Sequence, residues 1–122
     1  MGKVQRKCAL LLSAFMAVTP TLAQAHSDAK GKYTVLGPGN SSCGTWTEDR
    51  KEHDLLAIED ASWVQGFISG YNLFGPGSGN VTASTDSDGT MAWIDNYCVS
   101  HPLDSLDAAT QNLIFELKSR RQ

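Results

Sequence analysis

Cys43 and Cys98 stand on either side of the chain's apolar middle, and a bond between them would tie its front to its back. The third cysteine, Cys8, lies in a stretch that reads as an export signal. Lys3, Arg6 and Lys7 precede an apolar run from Cys8 to Leu22, which ends at the small-residue site Ala23-Gln24-Ala25. The run falls short of the roughly 20 apolar residues a membrane-spanning helix needs, and Thr19-Pro20-Thr21 interrupts it. Cleavage is expected after Ala25. Gln5-Arg6-Lys7 are not the small and aliphatic residues that precede a lipid-carrying cysteine, so Cys8 is expected to leave with the signal as a plain thiol. The two cysteines left in an oxidising compartment then read as one bridge, Cys43 to Cys98, in a periplasmic or secreted protein. Closing a loop of about 56 residues stabilises a fold by roughly 4 kcal/mol in the chain-entropy picture. A redox-active pair would show the close Cys-x-x-Cys spacing, which is absent here.

Charge narrows the choice of partners. Loss of Lys3, Arg6 and Lys7 leaves seven basic residues against thirteen acidic ones, a net −6. Nucleic-acid binding runs on Lys and Arg contacts to phosphate, so no nucleic-acid partner is expected, and no membrane association after signal cleavage. Ninety-seven residues remain, enough for one modest domain.

Helical periodicity dominates the remainder of the chain. Residues 26–41, rich in Gly, Ser, Lys and Asn, read as a flexible extended arm ending in the turn Gly37-Pro38-Gly39-Asn40. Thr47, followed by Glu48 and Asp49, reads as the cap of a short first helix. From Leu55 to Phe74, residues Trp63, Gly66, Phe67, Gly70, Tyr71 and Phe74 recur at steps of three and four, the mark of a central helix. Gly66 and Gly70 each cost it about 1 kcal/mol relative to alanine, which a ring packed over the gap would offset, with Trp93 the candidate. Gly75-Pro76-Gly77 stops the helix, and residues 75–89 read as a long surface loop. Asp88 is expected to cap a third helix carrying Met91, Trp93, Ile94, Tyr97 and Cys98, ended by Pro102. A fourth begins near Asp104 as capping residue and buries Leu106, Ala109, Leu113, Ile114 and Leu117. The expected fold is all-α: a small four-helix orthogonal bundle with one disulfide over residues 42–122, preceded by a cleaved signal peptide (1–25) and the extended arm (26–41).

No residue set spells out a catalytic site. His26, His53 and His101 are isolated in sequence, so no metal site and no cofactor is expected. The one alternative left open is that His26, as a new N-terminus, chelates copper with help from a second histidine. Carboxylates are plentiful but unpaired by any motif, and no nucleophile elbow or phosphate-binding loop appears, so an enzyme is not expected. An enzyme, if present, would show a buried pair of carboxylates in a cleft. The aromatics Trp46, Trp63, Phe67, Tyr71, Phe74, Trp93 and Tyr97 read mainly as core, with Phe74, beside the loop, the exception.

Cys43, the helix Trp63-Val-Gln-Gly66-Phe-Ile-Ser-Gly70-Tyr71, the polar loop, then Tyr97-Cys98-x-x-His-Pro102 and Leu106-Asp-Ala-Ala together resemble the HdeA/HdeB-like periplasmic proteins over residues 42–117. These are small bridged helical proteins that include acid-activated chaperones. Some immunity proteins of bacterial type VI secretion are similar too. The resemblance implies a protein that binds other proteins, either unfolded clients or one specific partner, and leaves a homodimer open. Trp63, Phe67, Tyr71, Phe74 and Trp93 are the expected contact residues. In acid the side-chain sum swings from −6 toward +10 as carboxylates neutralise and histidines charge. Self-repulsion would then loosen packing within the limit set by the bridge, exposing apolar helix faces to clients. The alternative is an inhibitor or immunity protein that binds one toxin or hydrolase at neutral pH through the 75–89 loop.

Overall fold

A computed structural model describes residues 32–77 and 79–121. The expected signal peptide, its cleavage site, Cys8 and His26 lie outside the described residues. The helical unit begins at Thr34. It contains four α-helices, α1 (Cys43–Glu52), α2 (Leu55–Phe74), α3 (Ser87–Ser100) and α4 (Leu106–Ser119), with no strand among the described residues.

Helix α1 starts four residues before the expected cap. Ser42 Oγ accepts the Thr45 amide at 3.1 Å, while Thr47 is interior and its hydroxyl donates to the Cys43 carbonyl at 2.9 Å. The reason is tertiary. A helix leaves its first amides without internal partners, and here the Cys43 and Gly44 amides donate to the carbonyls of Asp104 (2.7 Å) and Pro102 (3.0 Å). The Leu106 amide in turn donates to the Ser41 carbonyl at 2.9 Å, so the starts of α1 and α4 cap one another through backbone. At this junction the Cys43–Cys98 disulfide joins α1 to α3, with a Cα–Cα distance of 4.6 Å.

His53 turns the chain at φ 54°, and Asp54 opens α2 by accepting the Leu56 and Ala57 amides at 2.8 and 3.2 Å. The bounds of α2 match the expected helix. Its buried side is Ala57, Asp60, Val64 and Ile68, packed with Trp46, Ile94, Cys98 and the inner face of α4. That inner face holds Leu106, Ala109, Leu113, Ile114 and Leu117, the five residues expected to be buried there.

Five local expectations are corrected. Trp93 does not cover Gly66 and Gly70: a Cβ at either glycine would meet nothing within 4 Å, and Trp93 stacks instead on Tyr97, 5.3 Å between ring centroids. The close approach occurs at Gly39, where a Cβ would overlap the Trp63 indole; Trp63 Nε1 donates to the Leu36 carbonyl at 2.7 Å. The end of the expected arm is thus a 3-10 turn, Gly37–Asn40, seated on α2 through the buried Gly39. The cap of α3 is Asp86, whose carboxylate accepts the Gly89 amide at 2.8 Å, with Asp88 in the first turn. The cap position of α4 is Ser105, because Asp104 is engaged elsewhere, accepting the Tyr97 hydroxyl at 2.7 Å. The 75–89 segment is also less open than expected. Val81 is buried, and its amide donates to Asn72 Oδ1 at 2.9 Å.

Candidate functional site

Helix α2 is apolar on two sides. At 1.5 Å per residue, twenty residues span about 30 Å, and Leu55, Ile58, Ser62, Gly66, Ser69 and Leu73 follow helical spacing down an exposed face. Leu55 is 81%, Ile58 62%, Leu73 69% and the flanking Phe74 84% exposed. The helix carries two charges, Glu59 and the buried Asp60, so from Ser62 to Phe74 its outer face has none. A surface helix ordinarily places charged residues opposite its core stripe, and exposed apolar clusters at both ends of an uncharged face of small residues mark a contact surface more often than a solvated one.

Beside this face runs the aromatic row expected from sequence. Trp63 and Phe67 are half-buried with their rings 5.2 Å apart, and Tyr71, also half-buried, accepts the Lys118 ammonium at 3.0 Å through its hydroxyl. Phe74 extends the row into solvent. The row and the outer face together put four of the five expected contact residues on one helix. Trp93 stands apart, in a stack with Tyr97 and His101 on the far part of α3.

Two carboxylates define the electrostatics next to α1. Asp95 Oδ1 accepts Trp46 Nε1 at 2.8 Å and Arg50 Nε at 2.9 Å, and its Oδ2 accepts Arg50 Nη2 at 2.8 Å. This hydrogen bond, ahead of any other influence, raises the Arg50 pKa. Asp60 is 5% exposed, and its Oδ2 has no hydrogen-bond partner. Burial first, then the nearby charges of Asp49 and Glu59, push its pKa up to about 6. The sequence carries a signal for this group: position 60 shares the inward stripe with Ala57, Val64 and Ile68, which a search for apolar residues alone passes over.

Asp49 and Asp60 resemble the carboxylate pair an enzyme would need, but they line neither of two open clefts formed by described residues. One, about 380 Å³, is bounded by Thr47, Arg50, Lys51, His53, Asp95 and Val99. The other, about 200 Å³, lies between α2 and the start of α3 and includes Ser69, Asn72, Thr82, Thr85 and Asp86. His53 and His101 each donate through Nδ1 to a backbone carbonyl, of Lys51 and Tyr97 respectively. No group of three or more metal-ligating side chains occurs among the described residues, and no helix there is long and apolar enough to cross a membrane.

No family model, no curated protein and no solved structure matches this chain. What fold and surface define is therefore a class, a small four-helix protein with one disulfide, and nothing in those comparisons identifies an HdeA/HdeB-like family.

Proposed function

We propose that this chain is a non-enzymatic protein-binding protein of an exported compartment, and that its contact surface is the outer face of α2 with the Trp63–Phe74 row. One observation carries the reading: apolar side chains already stand open at both ends of a helix whose outer face has no charge from Ser62 to Phe74 and whose other side is anchored in a disulfide-stapled core. A surface formed in advance suits one partner bound at neutral pH, since little ordering cost is left to meet on association. The decisive measurement is binding or client protection by the oxidised protein at neutral pH, compared with a Leu73→Ser, Phe74→Ser variant. Retention of full activity by that variant would reject the α2 surface.

The second reading, an acid-stress chaperone, has its own support. Trp63, Phe67, Tyr71 and Trp93 sit at the core's edge, half-buried, so a small loosening would add them to the exposed area. Asp60 opposes that loosening in mild acid, because its raised pKa makes the folded state the better proton binder until the pH falls to about 4. Acid activation is then expected only at pH 2 to 3, where the remaining carboxylates are neutral and the positive charges repel. Suppression of client aggregation at that pH, absent at neutrality, would favour this reading over the first.

A further inference from the structure

The C-terminal ends of α2 and α4 meet at one pole of the unit, and the charge there runs against the rest of the molecule. From Thr34 onward the sequence has twelve acidic and five basic residues, and three of those five are Lys118, Arg120 and Arg121. Arg120 is ion-paired with Glu116 at 2.8 Å. Lys118 and Arg121 are held differently. Lys118 donates to the Tyr71 hydroxyl at 3.0 Å and lies 5.7 Å over the Tyr71 ring, and Arg121 donates to the Asn80 carbonyl at 3.0 Å. Both acceptors are neutral, and among the described residues neither cation is ion-paired to a carboxylate. Cations at a helix end complement its dipole. These two also reach across to other elements, which fixes them beside the aromatic row. One turn beyond Tyr71 stands Phe74, the most exposed aromatic side chain of that row.

We propose that this pole receives an acidic segment of the partner protein, with an apolar side chain on Phe74 and carboxylates on Lys118 and Arg121. The proposal rests on the reading of α2 as a protein-contact face and adds the partner's chemistry. Two cations with no carboxylate partner among the described residues, in a unit otherwise short of cations, are complementary to acidic groups, and such complementarity selects partners and speeds encounter. An anionic membrane is the less suitable occupant, since the chain's net charge repels it and two cations at one pole fall short of the Lys/Arg-rich polar face of a membrane-surface helix.

The test uses the full oxidised chain and two synthetic peptides with the same leucine positions, interspersed with glutamate in one and lysine in the other. Calorimetric titration at low and physiological salt should show the glutamate peptide binding about tenfold tighter, with the margin shrinking as salt rises. Lys118→Gln with Arg121→Gln, which keeps a hydrogen-bond donor at each position, should remove most of that margin, and Phe74→Ser should weaken both peptides alike. Equal binding of the two peptides, or a margin unchanged in the glutamine variant, overturns the proposal, as does binding of phosphatidylglycerol vesicles in place of either peptide. If neither peptide binds while client protection by the α2 face persists, the charge proposal fails and the reading of α2 stands.

Discussion

Asp95 and Asp60 flank the same helix and meet opposite environments. Asp95 is half-exposed and takes three donors from Trp46 and Arg50. Asp60 is buried, has an oxygen with no donor, and faces carboxylates at Asp49, Glu59 and Asp54. The α1–α3 side of the molecule is thus closed both covalently and by an ion pair. The α1–α2 side closes best when a proton is present. A buried carboxylate with one oxygen unpartnered costs stability that a core residue would have contributed, so the two sides of α1 differ in how firmly they are held and in what loosens them.

The largest expected effect tests the firm side. Replacing Cys43 and Cys98 with alanine should destabilise the unit by about 4 kcal/mol, read as a shift of the urea midpoint. A loss below about 1 kcal/mol would mean that backbone capping and the Asp95 cluster hold α1 to α3 without the bond, and the contrast would rest on charge alone.

The second effect tests the conditional side. With its pKa raised to about 6 in the folded state from 3.8, Asp60 contributes stability that is fully present below the unfolded value and lost as the pH rises through 6. Asp60→Asn should therefore stabilise the protein near pH 7, by about 1 to 3 kcal/mol, and the advantage should vanish near pH 4. Urea unfolding of both proteins across that range measures it. A variant less stable than the parent at pH 7 would show that the Asp60 carboxylate is useful as an ion, and the comparison with Asp95 would collapse.

Asp95→Ala comes third. It leaves Trp46 Nε1 without its acceptor in a fully buried residue, and strands Arg50 at a half-exposed site where solvent compensates part of the loss. An expected cost of about 2 kcal/mol combines these, most of it from the indole. Arg50→Ala should cost less, since Asp95 keeps the indole donor and is open to water.

How much of the fold is legible in the sequence depends on where each partner comes from. Helix α2 can be bounded to the residue, because its periodicity and the Gly75-Pro76-Gly77 stop are both local. The inner face of α4 and the Cys43–Cys98 bond are likewise open to reading, from spacing and from cysteine count. The start of α1 is only partly so: Ser42 caps it locally, but its first two amides are held by carbonyls at 102 and 104, and a carbonyl is the same whatever residue carries it. Trp63 illustrates the same limit. Its place in the aromatic row is visible, but its partner is a glycine turn in what reads as a free arm. Of the candidate surface, Phe74 is legible as the exposed aromatic. The apolar outer face is harder to see, because its signal is an absence of charge opposite a stripe that already accounts for the helix.

The smallest effect bears on that outer face. Gly66 is exposed, helical and surrounded by open space, so alanine there meets no neighbour and should stabilise α2 by up to about 1 kcal/mol. Leaving a glycine at such a position forgoes that gain with no internal contact to show for it, unlike Gly39, which the Trp63 indole requires. If close approach of a partner is what Gly66 serves, Gly66→Ala should raise the thermal midpoint by a few degrees while weakening partner binding or client protection, and Gly66→Leu should weaken it further. A variant that is more stable and binds as well as the parent would leave the glycine unexplained and move the contact surface away from the middle of α2, toward the Phe74 end.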